Sequence, residues 1–113
     1  MKIKTSELTG TALDWAVASA EGAVWAVWAV WRFKERHAVG EMRYSTSWSQ
    51  GGPIIERERI DVRYFGPLWS AALQLNEYEE PDEFFGPTPL IAAMRCFVAS
   101  RLGDEVDIPE ELT

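Results

Sequence analysis

Three consecutive Ala-Val-Trp triplets fill residues Ala23–Trp31 and place Trp25, Trp28 and Trp31 three residues apart. If the segment is a strand, both of its faces are apolar, because successive side chains point to opposite sides. If it is a helix, it is apolar around its whole circumference. Both readings require cover on every side, so the segment is predicted to be core. The strand reading suits a sheet with helices above and below.

The length and charge of the chain restrict the class of protein. Its 113 residues predict a single domain, 1–113, and 47% hydrophobic against 26% charged residues is typical of a globular protein. The net charge is −7, and ten of the eighteen acidic residues lie within Glu77–Glu83 and Asp104–Glu111. This acidity disfavours nucleic-acid binding, which depends on clustered Lys and Arg.

The chain offers few groups for catalysis or metal binding. Cys96 and His37 are the only cysteine and the only histidine, so we expect no disulfide, no transition-metal site and no cofactor. Cys96 is predicted to be a buried, inert thiol, and His37 to lie in a surface loop. The longest apolar run is too short to span a bilayer, and no secretory signal follows Lys2 and Lys4. These observations predict a cytoplasmic protein.

Spacing and capping signals predict the remaining elements. Apolar residues at helical spacing predict a first helix over Leu8–Glu21, and Thr88 and Pro89 start a last helix that ends at Gly103. Alternation predicts a strand over Ile60–Phe65, joined by Gly66 and Pro67 to a hairpin partner over Leu68–Leu75. The other predictions are an edge strand over Lys2–Thr5, the end of a strand that leaves the core over Arg32–Arg36, and a polar loop over His37–Ser49. A short helix is predicted over Pro53–Glu58, with a bend into a strand as the alternative. An acidic loop is predicted over Asn76–Phe85, followed at the end of the chain by an acidic tail from Asp104 that either adds a brief strand or hangs free.

Three blocks of sequence resemble the NinX family of lambdoid phages and prophages. They are Leu13–Ala18 with Glu21 and Gly22, then Gly51–Glu58, and finally Gly86–Arg95 continuing through Leu102–Val106. The resemblance implies a phage protein encoded near replication and late-antitermination genes, without an established biochemical activity. Two positions depart from the family pattern. Ser47 stands where the resemblance implies an aspartate, and Ala20 where it implies a cysteine.

A more distant likeness is to small phage domains built as α-β-α sandwiches. Together with the two apolar faces of Ala23–Trp31, it predicts an α+β fold. In this fold a mainly antiparallel sheet of three to four strands lies between long terminal helices and a short middle helix.

The Ser45–Gly52 loop is the first candidate site. Its glycines and the following helix start would bring backbone N–H groups close to an anion, and its hydroxyls are neutral donors. The candidate residues are Tyr44, Ser45, Thr46, Ser47, Trp48, Gly51 and Gly52, with Arg57 or Arg95 as the completing cation. A plain loop-to-helix junction explains the same residues without a ligand.

Aromatic residues outside the main helices form the second candidate site. Trp69, Phe84 and Phe85 are read either as an exposed partner surface or as a second layer of the core. The carboxylates of Glu79, Glu80, Asp82 and Glu83 are read as a solvated loop.

The sequence thus favours a phage accessory protein that binds a host or phage protein, or a second copy of itself, rather than an enzyme. The alternative is a small anion- or nucleotide-binding domain or enzyme that uses the Ser45–Gly52 loop.

Overall fold

The computed structural model describes residues 1–22, 30–73 and 81–113. These residues form four α-helices, which are α1 (Gly10–Ala20), α2 (Val30–Ala38), α3 (Trp48–Glu58) and α4 (Pro89–Leu102). They also form five strands, which are β1 (Lys2–Lys4), β2 (Ile60–Phe65), β3 (Leu68–Leu73), β4 (Glu83–Gly86) and β5 (Glu105–Asp107). The α+β class predicted from the sequence is confirmed.

The strands form two antiparallel sheets. The larger has the order β2-β3-β4, and its first hairpin turns at Gly66, whose φ of 63° favours glycine. The smaller pairs β1 with β5 and sets Ile3 opposite Val106. The acidic tail therefore adds a strand, and the predicted edge strand at the start of the chain is its partner.

Helix α4 is the centre of the molecule. The Thr88 side chain accepts a hydrogen bond from the backbone N–H of Ile91 at 3.1 Å, and Pro89 occupies the first turn, as the sequence predicts. Met94, Phe97 and Val98 are fully buried, because α4 packs against the sheet on one side and against α1 and α3 on others. The backbone of Gly86 lies so close to α4 that an added Cβ would be 2.8 Å from the Ala92 nitrogen.

The two faces of the larger sheet differ. The inner face, which includes Ile60 and Ala71, is part of the core together with α4. The outer face carries Asp61, Arg63 and Phe65, and all three side chains are exposed. No described helix covers this outer face.

Three sequence predictions are corrected by the structure. Residues 30–38 form helix α2, where the sequence reading had a strand leaving the core and then a loop from His37. Helix α3 begins at Trp48 rather than at Pro53, because helical backbone bonding already starts with the Gly51 N–H, which donates to the Ser47 carbonyl oxygen at 2.8 Å. The end of the predicted acidic loop is strand β4, because Glu83–Gly86 pairs with β3. Strand β3 is the predicted hairpin partner of β2, and residues 74 and 75 of that prediction lie outside the described residues.

The tryptophan triplets lie mostly outside the described residues, which include only Val30 and Trp31 of that segment. Val30 is buried and Trp31 is 55% exposed, and both belong to the first turn of α2.

Candidate functional site

A buried carboxylate joins three parts of the chain. Asp14, in the middle of α1, is 2% exposed. Its Oδ2 accepts a hydrogen bond from His37 Nε2 at 2.7 Å, and its Oδ1 accepts one from the Ser45 backbone N–H at 2.8 Å. A buried carboxylate is tolerated only with such donors. Asp14 therefore fixes α2 and the loop before α3 onto α1.

A second set of hydrogen bonds holds the loop between α2 and α3. Arg43 donates from Nε and Nη2 to the carbonyl oxygen of His37, at 2.9 and 2.7 Å. Gln50 accepts from the Arg43 backbone N–H through Oε1 and donates to the Gly40 carbonyl through Nε2, both at 2.7 Å. The loop is thus bonded to the two helices it connects.

The two glycines of the Ser45–Gly52 segment belong to α3 and not to a loop. A Cβ on Gly51 would lie 2.4 Å from the Tyr44 carbonyl oxygen and 2.7 Å from Leu90 Cδ2. Gly51 therefore allows α3 to approach the preceding loop and α4. Its lack of a side chain serves packing, which explains the glycine without a ligand.

The remaining residues of that segment surround the helix start. Ser47 is the N-cap of α3, and its hydroxyl lies 2.9 Å from that of Ser49. Thr46 and Trp48 are exposed, whereas Ser45 is buried and its Oγ has no hydrogen-bond partner within the described ranges. Burial raises the pKa of Tyr44, and the nearby Glu21 and Asp14 carboxylates raise it further.

The structure does not bring Arg57 to this helix start. Arg57 lies in the last turn of α3, about 15 Å along the helix from Ser47 at 1.5 Å per residue. It donates to Glu21 Oε1 at 2.9 Å and to Glu58 Oε2 at 2.8 Å. Arg101 donates to the other Glu58 oxygen at 2.9 Å. The hydrogen bonds from Arg57 and Arg101 to Glu58 lower the pKa of this carboxyl group.

Arg95 is also absent from the helix start. It bridges two other elements, because its Nε donates to the Leu8 carbonyl oxygen at 2.7 Å and its Nη1 to the Phe85 carbonyl oxygen at 2.6 Å. The two arginines proposed to complete an anion site therefore lie at separate places.

Exposed apolar side chains gather at the tip of the β2-β3 hairpin and on β4. We define the hairpin patch as Phe65, Leu68 and Phe85, which are 61%, 40% and 37% exposed. The rings of Phe65 and Phe85 lie 5.8 Å apart. Phe85, proposed from the sequence as a partner contact, thus lies in an exposed apolar cluster.

The other two aromatics proposed as a partner surface face inward. Trp69 and Phe84 are partly buried and pack against the core. Trp69 meets Tyr64 edge to face, with ring centroids 5.3 Å apart. The sequence could not separate Phe84 from Phe85 without the register of β4, which pairs Phe84 with the buried Ala71.

The outer sheet face beside the hairpin patch is a charged depression of about 520 Å³. Arg63 donates to Asp61 Oδ2 from Nε at 3.0 Å and from Nη2 at 2.8 Å, which raises the pKa of Arg63. Asp82 and Glu83 add two further carboxylates. Ser70, which also lines the depression, is buried, with its Oγ 3.3 Å from Glu83 Oε1.

The Cys96 thiol is not activated, and the described residues contain no metal-binding cluster. Burial raises the pKa of the Cys96 thiol to about 11, so the thiol stays protonated at neutral pH. Within residues 1–22, 30–73 and 81–113, no three His, Cys, Asp or Glu side chains are placed to hold a metal ion. In the same ranges, no helix is long and apolar enough to cross a membrane.

Sequence reasoning missed the Asp14–His37 pair, because it placed His37 in a surface loop. One signal was available. Asp14 directly follows Leu13 in a run of apolar residues at helical spacing, and a carboxylate on a buried helix face requires a donor from elsewhere in the fold. The identity of that donor has no local signal, because His37 is 23 residues away.

The fold and its polar contacts define a small α+β domain in which hydrogen bonds of Asp14, Arg43 and Arg95 join separate elements. The chain belongs to the bacteriophage P22 NinX family, whose family model matches residues 4–101. The resemblance seen in the sequence is therefore confirmed, and the protein is a phage accessory protein. A comparison with curated proteins finds no match.

Ser47, which stands where the resemblance implies an aspartate, occupies the N-cap position of α3. Its side chain makes no capping hydrogen bond, and its hydroxyl lies 2.9 Å from that of Ser49 instead. Nothing in the structure explains this departure from the family pattern.

Proposed function

We propose that this protein is a non-catalytic interaction module that binds a protein of the host or phage replication or transcription machinery. The hairpin patch carries the proposal. Phe65 and Phe85 are large aromatic side chains that stay exposed beside each other on a sheet face that no described helix covers. Exposed aromatic residues of this kind are enriched where proteins contact one another.

The scaffold beneath the patch supports this role. Phe65 belongs to a strand whose other end, at Ile60, is buried in the core. The patch is thus presented by a sheet that packs on α4, so binding would require little ordering of the backbone. The anion-binding alternative lacks comparable support, because Arg57 and Arg95 are bonded elsewhere.

The proposal is tested by affinity capture from infected cells with Phe65→Ser and Phe85→Ser variants. We expect the wild-type chain to retain a stoichiometric partner, and each variant to lose about tenfold or more in affinity for it, as for buried interface aromatics. Val39→Ser is the matched control, because Val39 is 77% exposed but lies outside the hairpin patch.

Two results would contradict the proposal. One is capture that is equally strong for the hairpin variants and for Val39→Ser. The other is recovery of the wild-type chain alone from several hosts, if light scattering also shows a monomer. A dimer that depends on Phe65 and Phe85 would instead identify a second copy as the partner.

A further inference from the structure

Arg95 carries a half-buried positive charge that has no counter-charge among the residues that the structure describes. Its two hydrogen bonds go to the carbonyl oxygens of Leu8 and Phe85, which carry no full negative charge. In the described ranges no carboxylate lies within ion-pair distance of it, whereas Arg57, Arg63 and Arg101 all have carboxylate partners. Burial lowers the pKa of Arg95, but a guanidinium remains cationic at neutral pH.

The guanidinium lines a groove of about 270 Å³ beside strand β4. The walls of the groove are mainly apolar and include Leu68, Phe84, Phe85 and Pro87. Ser6 also lines the groove. Leu68 and Phe85 also belong to the hairpin patch, so the groove and the patch form one continuous surface.

We infer that this groove receives a carboxylate from a protein partner, presented next to an apolar side chain, with Arg95 as its counter-charge. The inference rests on the proposed function and adds the chemistry of the partner. A partly desolvated guanidinium with unused N–H donors gains a strong charge-assisted hydrogen bond from a carboxylate. The aromatic walls would take the neighbouring apolar side chain, and arginine and aromatic residues together are typical of interface hot spots.

Glu83 provides an internal control for the charge argument. Glu83 is one of the residues that line the groove, and its carboxylate, which lies 3.3 Å from the Ser70 hydroxyl, is beyond ion-pair distance from Arg95 and would repel an incoming carboxylate. The two Arg95 hydrogen bonds do not involve Glu83. Glu83→Gln therefore changes the charge of the groove while it leaves both of these contacts in place.

The test uses 3-phenylpropionate as the probe and its neutral amide, 3-phenylpropionamide, as the matched control. Binding is followed by NMR at the Arg95 Nε–H and the Gly86 backbone N–H. We expect saturable shifts with the carboxylate and at least about tenfold weaker binding of the amide, because a hydrogen bond to a charged group is lost. Arg95→Gln should weaken carboxylate binding by the same factor, and Glu83→Gln should strengthen it about two- to five-fold.

Equal shifts with the acid and the amide would overturn the inference, as would unchanged carboxylate binding in Glu83→Gln. The second variant keeps the test decisive even if Arg95→Gln fails to fold. Failure here is distinct from failure of the proposed function. If partner capture depends on Phe65 but is unchanged by Glu83→Gln and by Arg95→Gln, the interaction module stands and the carboxylate site does not.

Discussion

The approach of α3 to the preceding loop makes Gly51 intolerant of any side chain. In Gly51→Ala, the new Cβ would have to move from 2.4 Å to at least 3.0 Å from the Tyr44 carbonyl oxygen. That oxygen belongs to the backbone, next to Ser45, whose N–H is bonded to the buried Asp14. The strain therefore falls on the loop that Asp14 holds in place.

The neighbouring glycine is the matched control. A Cβ on Gly52 would meet only Trp48 Cε3, at an ordinary 3.7 Å. In Gly52→Ala the helix propensity of alanine should therefore raise the free energy of unfolding by about 0.5–1 kcal/mol. In Gly51→Ala the same gain is opposed by overpacking of about 1–3 kcal/mol. Because the new Cβ would clash with both the Tyr44 backbone and the Leu90 side chain, we expect Gly51→Ala to lower the free energy of unfolding by about 1–2 kcal/mol.

Urea denaturation of both variants, followed by circular dichroism, measures the difference. The two substitutions should shift the midpoint in opposite directions, and their free energies of unfolding should differ by about 1.5–3 kcal/mol. Equal stabilisation by both alanines would refute the reasoning, because Gly51 would then have room for a methyl group. Destabilisation by both would show instead that residues 51 and 52 are not helical.

Three further outcomes follow from the polar and titratable groups. His37→Ala should lower the free energy of unfolding by about 1.5–3 kcal/mol, because the buried Asp14 loses a donor; a change under about 0.5 kcal/mol in urea denaturation would contradict this. Burial raises the pKa of the Cys96 thiol from 9.0 to about 11. The contribution of the protonated thiol to the free energy of unfolding is therefore fully present below pH 9 and is lost as the pH rises to 11. The stability difference between wild type and Cys96→Ala should therefore shrink by about 2–3 kcal/mol over that window, and a constant difference would count against burial of the thiol. Hydrogen bonds from Arg57 and Arg101 lower the pKa of Glu58 in the folded protein. The contribution of its carboxylate to the free energy of unfolding is therefore present above pH 4.5 and is lost as the pH falls through the lowered pKa. Glu58→Gln should cost about 0.5–1 kcal/mol at pH 7 and nothing in strong acid, as thermal melts across that range would show.

The sequence predicted the elements whose signals are local. Thr88 and Pro89 mark the start of α4 through cap chemistry, and alternation with Gly66 marks the β2-β3 hairpin. These elements are confirmed because cap, turn and periodicity act over a few residues. Phe85 is exposed while Trp69 and Phe84 pack against the core, and the sequence, which left both readings open for all three, could not separate them.

Helix α2 was missed because its sequence was read as the continuation of a strand. Val30, Phe33 and His37 share one helical face, at spacings of three and four residues, and Phe33 and His37 have ring centroids 5.4 Å apart. This helical spacing is visible in the sequence, but the strand reading of the preceding tryptophan triplets was extended through it. The role of Arg95 had no local signal at all, because one of its partners, Leu8, is 87 residues away.

The position of α4 also affects how the chain folds during synthesis. Helices α1 and α3 and the larger sheet all pack against α4. Helix α4, at Pro89–Leu102, is synthesised after all of them. A nascent chain that has left the ribosome as far as the β2-β3 hairpin still lacks the surface on which α1, α3 and that hairpin pack. Their apolar faces would stay solvated until α4 leaves the ribosome. We therefore expect arrested chains that end before Pro89 to be captured by chaperones or proteolysed, and chains that include α4 to become protease resistant in a single step.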